Sequence, residues 1–509
     1  MALSPAPIQL DPNDPHNERL LANVDPGRYP QPTATSRYNL VVIGAGTAGL
    51  VAAAGAAGLG AKVALIERRL MGGDCLNYGC VPSKALLAAA RAAAARYNAS
   101  RMGISAAPPD VAVDFTAVME RMRRLRADLS GNDSAARFTA LGVDVFHGEG
   151  RFTGTDTVAV GDQTVRFSRA IIATGGRAVA LPIPGLAEAG YLTNETVFAL
   201  SAMPPRIAVI GAGPVGCELA QALRRFGAEV TVLEVAPRIL IHEEPDAAAR
   251  VAQALASEGV RLVTGATVLR VEQRDHAKVV YFEHAGSSHE LAVDELLLGV
   301  GRAANVDGLG LEVAGVAHDR NGVRVDDYLR TTNKRIYAAG DVCTPMRFTH
   351  MADAMARIVL RNALFHGRAR VSALTIPSCV YTDPEIAHVG IDPAQAAERG
   401  LRLRTFVQEL AEVDRAVLDG ATAGLVKVHV VEGSDRILGA TIVARHASEM
   451  ISELTIAIAH RIGLGALADL IHPYPTQADA IRKLGDAYNR TRLTPFVKRV
   501  FAKWLKWKR

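Results

Sequence analysis

The sequence predicts an α/β protein built on two Rossmann-like units, and three observations carry that prediction. An apolar, β-branched run, Tyr38–Ile43, opens directly into Gly44-Ala-Gly-Thr-Ala-Gly49. A second run, Arg206–Ile210, opens into Gly211-Ala-Gly-Pro-Val-Gly216. Each loop leads into a helix-like stretch and a further apolar strand closed by an acid, Glu67 or Glu234, and the first glycine lies 23 residues before that acid in both copies.

A strand that runs into GxGxxG and then a helix is a dinucleotide fingerprint in its required context. The first glycine (Gly44, Gly211) permits the tight turn, and the second (Gly46, Gly213) lets the backbone approach a pyrophosphate. The third (Gly49, Gly216) allows close packing of helix on strand. The N–H groups of the helix start, here Thr47 and Ala48, face the phosphates. Glu67 and Glu234 stand where a carboxylate accepts hydrogen bonds from ribose hydroxyls. One copy of the motif is weak; two on one ruler are strong. Two such folds imply two dinucleotides. A carboxylate at Glu234 suits a free 2′-hydroxyl and repels a 2′-phosphate, which favours NAD(H) over NADP(H), and Arg238 nearby softens that preference.

The 509 residues leave room for two to four domains. With 49% apolar and 21% charged residues the composition is that of a soluble protein. The net charge of +5 is concentrated in the last twelve residues, which hold six bases, so the body is close to neutral and carries no nucleic-acid footprint. Met1 to Pro30 is rich in Pro, Asp and Asn and lacks a basic-then-apolar signal pattern, which reads as cytoplasmic. Asn39–Ile66 has Lys62 as its only charge and is long enough to suggest a membrane span. Its six glycines and strand–turn–helix phrasing argue for a buried βαβ unit instead.

Five cysteines (Cys75, Cys80, Cys217, Cys343, Cys379) are too few and too scattered for a secreted disulfide scaffold. In a reducing compartment a close pair leans catalytic. Cys217 falls at a helix start, and Cys343 and Cys379 read as small buried apolar residues. Five positions along a regular helix exceed the reach of a disulfide, so Cys75–Cys80 must be a turn or a distorted helix start. Gly72, Gly73 and Gly79 ease such a distortion. Pro82 suits a first helical turn, and Ala85 onward reads as helix. Thiols at a helix N-terminus have lowered pKa values, which exchange chemistry needs. A pair of buried free thiols and half of a metal site are the alternatives. No second cysteine or histidine pair has zinc-like spacing, so no metal site is expected.

These residues belong to a longer pattern. Gly72-Gly-Asp-Cys-Leu-Asn-Tyr-Gly-Cys-Val-Pro-Ser-Lys84, Ala173-Thr-Gly-Gly176, Gly301-Arg302, Thr332-Asn-Lys-Arg-Ile-Tyr-Ala-Ala-Gly-Asp341 and Pro384-Glu-Ile-Ala-His-Val-Gly390 follow in order. With them, over about residues 38–495, the chain resembles the flavoprotein pyridine nucleotide–disulfide oxidoreductases, the family of dihydrolipoamide dehydrogenase, glutathione reductase and mercuric reductase. The resemblance implies two Rossmann-like dinucleotide-binding domains, for FAD and NAD, and a C-terminal α+β dimerisation domain, in a homodimer that completes its active site. The implied order is an N-terminal extension (1–37), the FAD domain (38–190 and 301–373) split around an NAD(P) domain (191–300), the interface domain (374–495) and a basic tail (496–509).

Roles follow from the resemblance position by position. Cys80 would lie against the flavin as the charge-transfer thiolate, and Cys75 would be the outer thiol that attacks substrate. Lys84 would sit near the flavin and pair with Glu218. Asp341 would bind the ribityl chain, with Gly148, Thr174, Gly175 and Thr349 also at the cofactor. Gly301 and Arg302 would close over the nicotinamide nucleotide.

The chain departs from the disulfide reductases near its C-terminus. There the family reads His-Pro-Thr-x-x-Glu, and this chain reads His472-Pro-Tyr-Pro-Thr-Gln-Ala-Asp479. Aligning on Pro475-Thr476 puts Tyr474 at the histidine and Asp479 at the acid. Tyrosine there resembles mercuric reductase; an unperturbed phenol titrates near ~10, far from imidazole. His472 is the alternative proton donor. The vicinal cysteines that end many mercuric reductases are absent, since no cysteine follows Cys379.

The expected reaction passes electrons from NADH through FAD to the Cys75–Cys80 disulfide and on to a small disulfide or thiol-bound metal acceptor. Dihydrolipoamide dehydrogenase and soluble transhydrogenase activities are the alternatives, and a flavin-bearing redox sensor at a membrane surface is the non-enzymatic one. Val497, Val500, Phe501, Trp504 and Leu505 fall at helical spacing among lysines and arginines. Residues 496–509 therefore read as a basic amphipathic helix, a candidate peripheral contact with the inner face of a membrane.

Overall fold

Strand Tyr38–Ile43 is buried at every position but one, as the centre of a parallel sheet covered on both faces requires. In the computed structural model, which describes residues 8–35, 37–104 and 113–509, this strand pairs in parallel with Val63–Glu67 on one side and Gln163–Ile172 on the other. Val143–His147 extends the sheet beyond Val63–Glu67, and Ile336–Ala338 pairs with Gln163–Ile172, both in parallel. Thr157–Val160 and Arg151–Phe152 add an antiparallel edge. The stretch that mimicked a membrane span is strand, loop, helix Thr47–Gly58 and strand. No described helix is long and apolar enough to cross a membrane.

The described residues form two compact units, Met1–Val235 with Ala266–Ala373 and Ala236–Gly265 with Leu374–Arg509. The first contains the parallel sheet. Its core gathers Tyr38, Phe146, Phe152 and Phe167 with Ile336 and Val342. Within the same unit Arg206–Ile210 pairs in parallel with Glu229–Glu234 and with Glu295–Leu298, which repeats the first nucleotide fold. Three antiparallel strands, Thr267–Arg274, Ala277–His284 and Ser287–Val293, lie between those two segments.

The first seven residues of the N-terminal extension lie outside the described residues. The rest of the extension is not a loose tail. Helix Pro15–Val24, capped by Asp14, buries Leu20, Leu21 and Val24. Arg123 pairs with Asp14 at 2.5 Å, and Arg126 donates to Asn17 at 2.7 Å. Pro15 fills the first turn of this helix and Asp14 caps it, accepting from the N–H of Asn17 at 2.8 Å.

The second unit is α+β. Five antiparallel strands run in the order Pro377–Val380, Glu385–Gly390, Ile437–Ala444, Leu425–Val431 and Leu403–Glu409. Helices Ala447–Ala459 and Asp479–Thr491 contribute Leu454, Ile481 and Leu484 to its core. Cys217 lies in the first turn of helix Pro214–Arg225, as expected, and is fully buried there. Cys343 and Cys379 are only half-buried, contrary to expectation: each packs against the margin of a core, not inside it.

Candidate active site

The two glycine loops have one geometry. Gly44 and Gly211 both have φ +100°, and a Cβ would stand 2.4 Å from the carbonyl of Ala173 or 2.7 Å from that of Gly299. A Cβ on Gly49 or Gly216 would meet the carbonyl of the first glycine at 1.8 or 2.1 Å. The middle glycines differ in kind. A Cβ on Gly46 meets nothing nearer than Gly73 Cα at 3.8 Å, and one on Gly213 nothing nearer than Gly299 O at 3.9 Å. The protein itself would tolerate a side chain there, so the need for glycine comes from a group that approaches the loop. In this the loops fit dinucleotide pyrophosphates.

The closing acids hold their loops. Glu67 Oε2 accepts from the N–H of Ala45 at 2.7 Å, and Glu234 Oε2 from that of Ala212 at 2.5 Å. Glu67 also accepts from the N–H of Arg69 at 2.8 Å. Burial raises its pKa, against those two N–H groups. The carboxylates thus brace the turn.

Between the cysteines the chain breaks its helix. Gly73–Asn77 forms one short helix, Tyr78 and Gly79 interrupt it, and Cys80–Asn98 begins the next. The second helix starts at Cys80 itself, with Pro82 in its first turn as the sequence indicated. A Cβ on Gly73 would stand 2.6 Å from Gly46 Cα, and Gly72 N–H donates to Ala45 O at 2.9 Å. The glycines before Cys75 thus do more than ease a bend: they seat the cysteine segment on the first nucleotide loop.

The structure brings the two thiols together as free cysteines. Cys80 is held at about 6, chiefly because Cys75 donates a hydrogen bond to it; burial opposes, and Thr349 and Lys84 help. Cys75 is pushed up by that same bond and by burial. Cys80 also takes the first position of its helix, where unsatisfied N–H groups favour a thiolate. Thr349 Oγ1, at the start of helix Thr349–Phe365, is 3.2 Å from Cys80 Sγ.

One turn beyond Cys80, Lys84 Nζ forms a 2.8 Å ion pair with Glu218, which is buried on helix Pro214–Arg225. That bond joins the helix that starts at a cysteine to the helix that starts at the second nucleotide loop. Arg302 pairs with Asp74, the residue before Cys75, and lies 3.6 Å from Asp341. It also donates to Gly176 O at 2.9 Å. Its side chain thus lies beside Asp341, which the resemblance places at the ribityl chain of the flavin. Burial raises the pKa of both Asp74 and Asp341, with Arg302 acting against it. Thr174 and Gly175 are fixed by Asn305: Thr174 Oγ1 donates to Asn305 O at 2.7 Å, and Asn305 N–H donates to Gly175 O at 3.0 Å. Gly148, at φ +141°, donates to Glu67 O at 2.9 Å. Gly301 has φ +110° with open space around it.

In the second unit Tyr474 and Asp479 do not pair. The Tyr474 hydroxyl donates to Asp414 at 2.8 Å, and that bond raises its pKa. Asp479 is held by Arg482 at 2.8 Å. His472 has a carboxylate partner: Nε2 is 3.1 Å from Glu453 Oε1, and Nδ1 is 3.2 Å from Leu470 O. Asp414 and Glu453 were missed, because separations of 60 and 19 positions carry no sequence signal.

Two nucleotide loops of one geometry, with a polarised dithiol seated on the first, define a pyridine nucleotide-linked dithiol oxidoreductase. The chain belongs to the pyridine nucleotide-disulphide oxidoreductases: the family's model matches residues 38–356, and its dimerisation domain matches residues 376–484. It is a FAD-dependent enzyme of that family, and the dimerisation domain indicates a homodimer. It is 36% identical to the mercuric reductase of Streptomyces lividans, over 88% of this chain and 96% of that one. It is 37% identical to the dihydrolipoyl dehydrogenase of Bacillus subtilis, over 88% and 95%. Among solved structures, the Cu(II) complex of the HOCl-induced flavoprotein disulfide reductase RclA from Escherichia coli has a TM-score of 0.79 at 29% identity, covering 87% of this chain and 98% of that one.

Proposed function

We propose that the enzyme takes electrons from NADH and delivers them through Cys75 and Cys80 to a thiol-bound metal ion or a small disulfide. FAD supplies the two-electron relay between nicotinamide and sulfur, with Gly44, Gly46, Thr47, Ala48 and Gly49 at its pyrophosphate and Glu67 at a ribose. Gly148, Thr174, Gly175, Thr349 and Asp341 line the rest of that site. Gly211, Gly213, Gly216, Glu234 and Gly301 take the nicotinamide nucleotide, and the carboxylate at Glu234 favours NADH. Lys84 and Glu218 fix the spacing between the two nucleotide folds. We place the body of the enzyme in the cytoplasm, with residues 496–509 as its candidate contact with a membrane.

The observation that carries this reading is the cysteine segment seated on the first nucleotide loop, with Cys80 at the start of its helix and 3.2 Å from the Thr349 hydroxyl, an environment that lowers the Cys80 pKa and raises that of Cys75. At neutral pH Cys80 is a thiolate that Cys75 hydrogen-bonds. With a disulfide acceptor, Cys75 sulfur attacks one acceptor sulfur and expels the other as a thiolate. Cys80 then attacks Cys75, releases the second thiolate and restores the Cys75–Cys80 disulfide. Of the two protons the leaving thiolates take up, one comes from the Cys75 thiol and the other from the proton donor or solvent. With a thiol-bound metal the same two electrons pass to the ion.

Across the dimer, the proton donor is drawn from Tyr474 with Asp479, or from His472. The pairing of His472 with Glu453 favours His472, because a carboxylate orients that imidazole, whereas the Asp414 bond raises the pKa of the Tyr474 phenol and makes it a poorer proton donor. The test is NADH oxidation with Hg(II) in excess small thiol, compared with oxidised lipoamide and oxidised glutathione. Metal-dependent turnover lost in Cys75→Ser supports metal reduction; turnover with a disulfide alone assigns the dihydrolipoamide dehydrogenase-like alternative. Turnover with neither removes the proposal and leaves a flavin-bearing sensor.

A further inference from the structure

Helix Pro495–Trp507 buries none of its residues. Phe496, Val500, Phe501, Trp504, Leu505 and Trp507 are each at least 46% exposed. On a helical wheel these occupy one half, and Lys498, Arg499, Lys503 and Lys506 occupy the other. The helix is nonetheless well built: Thr494 accepts from the N–H of Val497 at 3.3 Å, Pro495 fills the first turn, and Lys508 Nζ sits 4.4 Å over the Trp504 ring. An apolar half of this size facing water marks an interaction surface.

Charge selects the occupant. Residues 495–509 hold six bases and no acid, and without them the net charge of +5 becomes −1. A second copy of the helix would bring like charges together. An anionic bilayer offers apolar depth to one half and counter-charge to the other. Thirteen residues span roughly 20 Å as a helix, too short to cross a hydrocarbon core of about 30 Å, so the helix lies in the plane of the interface. We propose that Pro495–Trp507 docks the enzyme on membranes with anionic headgroups. This deepens the membrane contact proposed above and is independent of the electron path.

Both tryptophans of the chain lie in this helix, so their fluorescence reports on it alone. The full-length holoenzyme is mixed with vesicles of phosphatidylcholine, with or without about a third phosphatidylglycerol. Expected are a blue-shifted emission and co-sedimentation with the anionic vesicles only, weakened at least ~10-fold by about 0.5 M salt. A Trp504→Glu, Leu505→Glu double variant is expected to stay in solution with NADH oxidation unchanged. Equal binding to both vesicle types, or sedimentation of the double variant, would overturn the proposal. So would a helix-dependent increase in oligomer size without vesicles, which would assign the face to a second copy. Turnover measured in the same samples reports the electron path separately, so either reading can fail alone.

Discussion

The sulfur of Cys80 stands 3.2 Å from the hydroxyl of Thr349, a residue 269 positions away in the chain. Two helices, Cys80–Asn98 and Thr349–Phe365, thus begin at one sulfur atom. Helix starts concentrate unsatisfied N–H groups, and a thiolate is what such a place stabilises.

Thr349→Val removes that hydroxyl and is expected to raise the Cys80 pKa from about 6 by about one unit. The pH dependence of alkylation at Cys80 in the reduced enzyme measures it. An unchanged midpoint would mean that Cys75 and the helix start hold the thiolate without Thr349.

The glycines of each loop are expected to fail in different ways. Gly49→Ala or Gly216→Ala drives a methyl into a carbonyl at 1.8 or 2.1 Å, so the fold itself suffers. Gly46→Ala and Gly213→Ala have room within the protein, so Tm should hold while nucleotide affinity falls about tenfold or more. Thermal unfolding beside flavin retention and NADH binding separates the two outcomes.

Lys84→Ala leaves Glu218 buried without its 2.8 Å partner. Because Lys84 is about a third exposed, the cost should be about 2 kcal/mol, below that of a fully buried pair. Glu218→Gln should cost less, since its amide oxygen can still accept from Lys84 and only the charge–charge attraction is lost. Urea unfolding of both variants checks the order.

Acid sensitivity should concentrate in the second unit. Burial alone would raise the pKa of Glu244, but hydrogen bonds from His429, Thr441 and Lys427 hold it at about 2. A carboxyl depressed on folding stabilises above its unfolded pKa, here near 4.5, and loses that contribution as pH falls toward 2. Roughly 3 kcal/mol should disappear across that window. Glu244→Gln is expected to flatten the pH dependence of stability there, at a cost at neutral pH. The same slope in both proteins would place the acid lability elsewhere.

Much of the fold was legible because local rules and tertiary structure agree. The strands Tyr38–Ile43 and Arg206–Ile210, their glycine turns and their closing acids all form as the spacing indicated. The break between Cys75 and Cys80 followed from the reach of a disulfide. What stayed hidden depends on distance in the chain. Thr349 at Cys80, Arg302 at Asp74 and Glu453 at His472 are pairings made by packing, and no periodicity encodes them. Helix Pro15–Val24 was missed because its proline and acidic caps look like loop residues in isolation.

Alkylation reads out whether electrons from NADH end in one pair of sulfurs. The oxidised enzyme is treated anaerobically with a mass-tagged alkylating reagent before and after NADH is added, and the labelled peptides are identified. Cys75 and Cys80 are expected to be protected before NADH and labelled after it, while Cys217, Cys343 and Cys379 do not respond. Equal labelling of Cys75 and Cys80 with and without NADH would contradict it.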